Sequence, residues 1–219
     1  MGFTDSALEK PLIAIVNTYT NTTPGHYNIN EMCDQVKKGI ESSGGTAMVF
    51  GSIAPCDGIA EGHDGIILPS RDLITSSVEC MVRAHKFDGL VLLGSCAMLG
   101  TANTMGCLAE AMGMSLPGSG TVPAIYSKRM QIAYTTGEVI VDLVVKKITA
   151  RQVITKDSIC NAMAVLMGIG GSTNAIMHLQ AIHKEAELGE LPLTLFDELS
   201  RKIPQIASVY PASPYDMVD

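Results

Sequence analysis

The sequence predicts an α/β fold: a parallel sheet flanked by helices, followed by a mainly helical segment. Three observations predict it. Over the first hundred residues, short apolar runs alternate with amphipathic stretches, the pattern of strand–helix–strand units. The apolar runs are continuous rather than alternating, as expected of strands covered on both faces. After residue 100 the strand pattern stops and helical periodicity dominates.

The elements follow in order. Pro11–Val16 is an unbroken apolar run ending at Asn17 and reads as a buried strand. A polar turn holding Thr23-Pro-Gly-His26 leads to Ile29, Met32, Val36 and Ile40 at helical spacing, and Gly44-Gly45 stops that helix. Thr46–Phe50 is a second strand, followed by a long Gly-rich loop from Gly51 to Pro69. Leu73, Ile74, Val78, Met81 and Val82 mark a second amphipathic helix, and Asp88–Leu93 a third strand. Right-handed crossovers put the C-terminal ends of all three strands on one edge. Ligands of such sheets bind outside those ends. The polar loops gathered there run from Asn17 to His26, Cys56 to His63 and Gly94 to Asn103.

Helices are then expected over Asn103–Met112, Tyr126–Ile148 and from Thr155 or Lys156 to Met167, with Pro117–Thr121 as a turn. Gly168–Gly171 breaks the chain, and Ser172 is placed to cap a helix running to Leu188. Thr194 with Asp197 reads as a capping box opening a last short helix.

Composition excludes several classes. With 47% hydrophobic and 17% charged residues the chain can bury a core, so wholesale disorder is excluded. A net charge of −7 without a Lys/Arg run argues against a nucleic-acid surface. No run approaches the roughly 18 apolar residues of a membrane helix, and no signal peptide is readable at the start, so a cytoplasmic protein is the default expectation. Six cysteines without a Cys-x-x-Cys pair do not form a secreted disulfide framework. Cys33 and Cys80 fall within helical patterns and read as core, whereas Cys56 and Cys96 lie in Gly-rich turns after apolar runs.

Four places carry chemistry. Asp57, in Cys56-Asp-Gly-Ile-Ala-Glu-Gly-His63, suits a hard cation such as Mg²⁺ or, equally, an Asx turn. Cys96, flanked by small residues at a strand end, suits a cluster or a nucleophile, or simply close packing. Gly170-Gly-Ser-Thr-Asn174 opens a helix whose free N–H groups suit a carboxylate, so Ser172, Thr173 and Asn174 are candidate substrate-binding residues. His26 and His63 are loop histidines able to act in acid–base chemistry or bind an acidic substrate, although most loop histidines are merely solvated. His85, His178 and His183 lie on helices and read as structural.

The ordered strings Ile15-Val-Asn-Thr-Tyr19, Thr23-Pro-Gly-His26, Cys56–His63, Leu68-Pro-Ser-Arg71, Ser77-Val-Glu79, Gly94-Ser-Cys96, Gly100-Thr-Ala-Asn-Thr-Met105, Ser115-Leu-Pro-Gly118 and Gly170–Asn174 together resemble the dihydroxy-acid and phosphogluconate dehydratase family. The resemblance covers nearly the whole chain. It implies elimination of water from a 2,3-dihydroxy acid to a 2-keto acid. An iron–sulfur cluster would act on the leaving hydroxyl and Mg²⁺ would hold the substrate, because hydroxide leaves poorly until a cation takes its charge. By the same resemblance Cys96 matches a cluster cysteine and Asp57 a magnesium ligand. Gly25 stands where some members place another cluster cysteine. Members with glycine there tend to carry a 4Fe-4S cluster and those with cysteine a 2Fe-2S cluster. A homodimer, a small dihydroxy-acid substrate and a role in valine and isoleucine biosynthesis are implied. A sugar-acid (aldonate or phosphogluconate) dehydratase and an inactive remnant with a dimerisation or scaffold role are the alternatives.

The departures are local. The family has two Gly-x-Cys segments separated by a long stretch, the first followed by an Asp-Lys pair of the magnesium site. Here Phe87–Leu93 resembles the approach to the first, and Ala97–Thr101 the exit from the second, so the two are fused at Cys96. One cluster cysteine and the Asp-Lys pair are thereby missing. Residues 1–100 are expected to form the α/β part with the cluster and metal loops, and 101–219 a mainly helical part of the same N-terminal domain. The family's C-terminal domain, with its serine base, is absent from the match, so no catalytic base is assigned in this chain and it is expected to be inactive alone.

Overall fold

The computed structural model describes residues 2–60, 65–94, 103–123 and 126–207; the side chains of Asp57 and Leu68 are also outside this set. The chain divides into two compact units, 1–95 with 130–147, and 96–129 with 148–219.

The first unit holds α1 (Asp5–Leu8), β1 (Leu12–Asn17), a 3-10 turn (Pro24–His26), α2 (Ile29–Ser42), β2 (Thr46–Gly51), α3 (Asp57–Ala60), α4 (Ile67–His85) and β3 (Gly89–Leu93). The sheet is parallel, in the order β2-β1-β3, with Ile15 beside both Val49 and Val91. This is the expected α/β arrangement. One face of the sheet, Ile13, Ile15, Ala47, Val91 and Leu93, packs with Ile29, Met32, Val36 and Ile40 of α2.

Two glycines make this packing possible. A long later helix, residues 128–145, contributes Ala133 and Val141 to the same core. A Cβ on Gly137 of that helix would lie 2.7 Å from the Ile40 backbone nitrogen, and one on Gly39 would run into the Tyr134 carbonyl. The two helices therefore touch backbone to backbone.

The second unit holds α5 (Thr104–Ala111), then, after the long helix α6 (Lys128–Val145) of the first unit, α7 (Ala150–Val153), α8 (Lys156–Gly168), α9 (Asn174–Glu185) and α10 (Leu193–Lys202). Its core is Leu108, Ile159, Met163, Leu166, Leu179 and Phe196. Thr155 caps α8 reciprocally: its hydroxyl accepts from Ser158 N–H (3.1 Å) and the Ser158 hydroxyl accepts from Thr155 N–H (2.8 Å).

Several local expectations are corrected. The Gly51–Pro69 stretch is not all loop: α3 begins at Asp57, and α4 takes in Pro69, because proline is tolerated in a first helical turn. The long helix ends at Val145, and Lys147 turns left-handed with φ 57°. Thr149 then opens the unexpected α7, with Gln152 Oε1 accepting from Thr149 N–H (2.7 Å). The helix after Gly171 starts at Asn174 with Thr173 as its N-cap, and stops at Glu185. Thr194 and Asp197 form no capping box, since α10 starts a residue earlier and Asp197 pairs with Arg201 (3.2 Å). Cys80 is exposed on α4 rather than in the core.

Candidate functional site

The strand order reverses at β1, so the crevice expected of such sheets opens at the C-terminal ends of β1 and β3. Among the described residues, the loop after β1 is tied there to the end of β3 and to the segment beyond β2. Thr18, just after β1, donates its hydroxyl to the Leu93 carbonyl at the end of β3 (2.5 Å). Thr23 donates to the Ala54 carbonyl beyond β2 (2.7 Å). Asn17 closes the start of its own loop, accepting from Tyr19 N–H (2.8 Å) and donating to Asn30 (2.9 Å). His26 is buried, and its Nδ1 donates to the Thr18 carbonyl (2.6 Å), so backbone orients the ring; it is not the solvated loop histidine of the bland reading.

Cys96, His63 and the side chain of Asp57 lie outside the described residues. Asp57 opens α3, three residues after Ala54, whose carbonyl accepts from Thr23. Among the described residues no group of three or more His, Cys, Asp or Glu could hold a metal ion. They do not by themselves make up a ligand set for a cluster or for Mg²⁺. Burial pushes the Cys33 thiol of α2 up, with Asp34 adding to the effect, which marks it as a neutral core group.

The second unit places Ser172, Thr173 and Asn174 together at the start of α9, all exposed. The Ser172 hydroxyl accepts from Asn174 N–H (3.3 Å), and Ser172 N–H donates to the buried Thr104 hydroxyl at the start of α5 (3.1 Å). Gly170 has φ +56°, and a Cβ on Gly171 would lie 2.7 Å from Thr104 and Leu166 side-chain carbons. The N-terminal ends of α5 and α9, each a positive dipole end, thus meet at Thr104 and Ser172, an arrangement suited to a negative charge.

One feature of this unit escaped the sequence reading. Glu110 of α5 accepts from Gly118 N–H (2.8 Å) and Gly120 N–H (2.9 Å). The legible signal was the spacing Asn103, Cys107, Glu110 on one helix face, followed by a Gly-rich turn.

Comparison with known proteins now bears on the chain. The family model described as dihydroxy-acid/6-phosphogluconate dehydratase N-terminal matches residues 10–96 and 93–219. A dihydroxy-acid dehydratase of Thermodesulfovibrio yellowstonii is 36% identical over 293 residues, covering 100% of this chain and 53% of that protein. One of Clostridium novyi is 38% identical over 294 residues, with 100% and 53% covered. One of Ignicoccus hospitalis is 35% identical over 291 residues, with 100% and 52% covered. The chain thus spans about half the length of the curated relatives it matches. The first alignment is 293 positions long against 219 residues here, which leaves 293 − 219 = 74 positions of the relative without a counterpart. The two family matches meet at residues 93–96, the point where the sequence fuses two family segments. This chain belongs to the dihydroxy-acid/6-phosphogluconate dehydratase family and corresponds to its N-terminal region.

Proposed function

We propose that this chain is the cluster- and metal-bearing part of a hydro-lyase that converts a 2,3-dihydroxy acid to a 2-keto acid in valine and isoleucine biosynthesis. The observation that supports the reading is the tying of the loop after β1 to the end of β3 by Thr18 and to the segment beyond β2 by Thr23. Identity to named dihydroxy-acid dehydratases over the whole chain supports the substrate class.

In this reading Cys96 is a ligand of an iron–sulfur cluster, of 4Fe-4S or 2Fe-2S type, and Asp57 a ligand of Mg²⁺. The cluster supplies Lewis-acid assistance to the departing hydroxyl when bound. Ser172, Thr173 and Asn174 bind the substrate carboxylate at the start of α9, and His63 is a candidate to bind an acidic substrate. The serine base of the family has no match in this chain. The protein acts in the cytoplasm as a homodimer; no helix among the described residues is long and apolar enough to cross a membrane.

The test is anaerobic reconstitution with iron and sulfide, followed by visible absorption and an assay with 2,3-dihydroxyisovalerate. Absorption that depends on Cys96 supports the reading. Neither colour nor dehydration from the intact gene product favours a remnant with only a scaffold role. Turnover of a sugar acid in place of the branched-chain substrate favours the sugar-acid branch of the family.

A further inference from the structure

We infer that Glu110 is a positioning residue: its carboxylate fixes the 116–122 loop against α5 and so sets the first turn of α5, on which Ser172 rests. The starting observation is an oddity. Glu110 lies in the last turn of α5, where a negative charge opposes the helix dipole. Helix stability does not explain it there. Both its oxygens are instead occupied by loop N–H groups, those of Gly118 and Gly120. Bonds from N–H to an ionised carboxylate are among the stronger ones.

The loop answers back at the other end of the helix. The Gly120 carbonyl accepts from the Asn103 side-chain amide and from the Cys107 thiol. Burial, and then the Glu110 charge, push that thiol up, which keeps it protonated as a donor. A Cβ on Gly120 would lie 2.6 Å from the Gly106 carbonyl carbon, so loop and helix backbones are in direct contact. Asn103 is the N-cap of α5 and makes no side-chain capping bond; its side-chain NH₂ donates to the loop. The first turn of α5 therefore takes its register from the loop. Thr104 is the next residue, and it holds Ser172 N–H. Glu110, Gly120, Asn103, Thr104 and Ser172 form one mechanical path within the helical unit. Its functional meaning rests on the proposed carboxylate role of Ser172–Asn174; the path itself does not.

The experiment uses the full chain and its variants Glu110→Ala and Glu110→Gln, read by amide hydrogen exchange and by alkylation of Cys107 with iodoacetamide. In Glu110→Ala, exchange at Gly118 and Gly120 rises about tenfold or more, as expected for loss of charged hydrogen bonds. Ser172 N–H, remote in sequence, also exchanges faster, and Cys107 is alkylated faster while Cys33 of the other unit stays protected. Glu110→Gln falls between, since a single carbonyl oxygen replaces two acceptors, and it serves if the alanine variant fails to fold. Unchanged exchange at Ser172 alongside an opened loop overturns the inference, as does an unreactive Cys107. Binding of 2,3-dihydroxyisovalerate by Ser172→Ala, compared with the unsubstituted chain, tests the carboxylate reading separately. Equal binding there removes the Ser172 hydroxyl from that reading and leaves the Glu110 path standing.

Discussion

In the sheet unit, α2 and α6 cross where Gly39 faces Tyr134 and Gly137 faces Ile40, and the contact is backbone on backbone. In the helical unit, α5, α8, α9 and α10 meet through Leu108, Met163, Leu166, Leu179 and Phe196. The first arrangement is fixed by the absence of side chains and the second by their volume. The first has nowhere to put an added carbon. The second is sensitive to removed carbons and tolerates exchange at constant volume. The loop tied by Thr18 and Thr23 belongs to the sheet unit, whereas Ser172–Asn174 open α9 of the helical unit.

Five substitutions probe this contrast. Leu179→Ala removes a fully buried side chain and is expected to cost the helical unit about 2–5 kcal/mol. Denaturant unfolding followed by circular dichroism, with amide exchange to identify the unit affected, checks it. Leu166→Met at the same core should cost less than about 1.5 kcal/mol, because volume is kept. Gly137→Ala is expected to destabilise the sheet unit by about 1–3 kcal/mol or more, since the clash is with backbone rather than with a flexible side-chain end. Indifference to that change would remove the backbone-contact account. Thr155→Ala deletes a reciprocal cap and should cost α8 about 1 kcal/mol. Lys146→Ala breaks only an exposed pair with Asp142 and should move the midpoint by no more than about 0.5 kcal/mol.

Alkaline pH acts on both units in the same direction. Cys33 and Cys107 each have a raised thiol pKa when folded, burial being the main cause. The stability linked to each is therefore complete below the ordinary thiol value, roughly 8.5, and is lost as pH rises through the folded value. Cys107→Ser should flatten the alkaline limb for the helical unit alone. A pH profile of unfolding midpoints for the two units, with and without that change, is the check.

Most of the frame was legible in the sequence for a simple reason. Buried parallel strands leave continuous apolar runs, and Leu12–Asn17, Thr46–Gly51 and Gly89–Leu93 all fall within a residue or two of those runs. The short helices α3 and α7 were not legible, because four residues carry no periodicity and α7 is announced only by Thr149 and Gln152. The pairing of α6 with the sheet was hidden as well. Its cause is the absence of a side chain at Gly39 and Gly137, which no hydrophobic pattern registers. In the site, topology put the strand ends on one edge, yet did not foretell the ties that Thr18 and Thr23 make there. Glu110 was overlooked because its partners are backbone groups, which leave no complementary residue to find.

The most direct measurement is the visible absorption spectrum of the chain after anaerobic reconstitution with iron and sulfide, taken beside Cys96→Ala and Cys80→Ser. Cys80 is exposed on α4 and serves as the control thiol. The account predicts cluster absorption in the unsubstituted chain and in Cys80→Ser, and its loss in Cys96→Ala. Absorption that survives in Cys96→Ala, or none in any of the three, would contradict it.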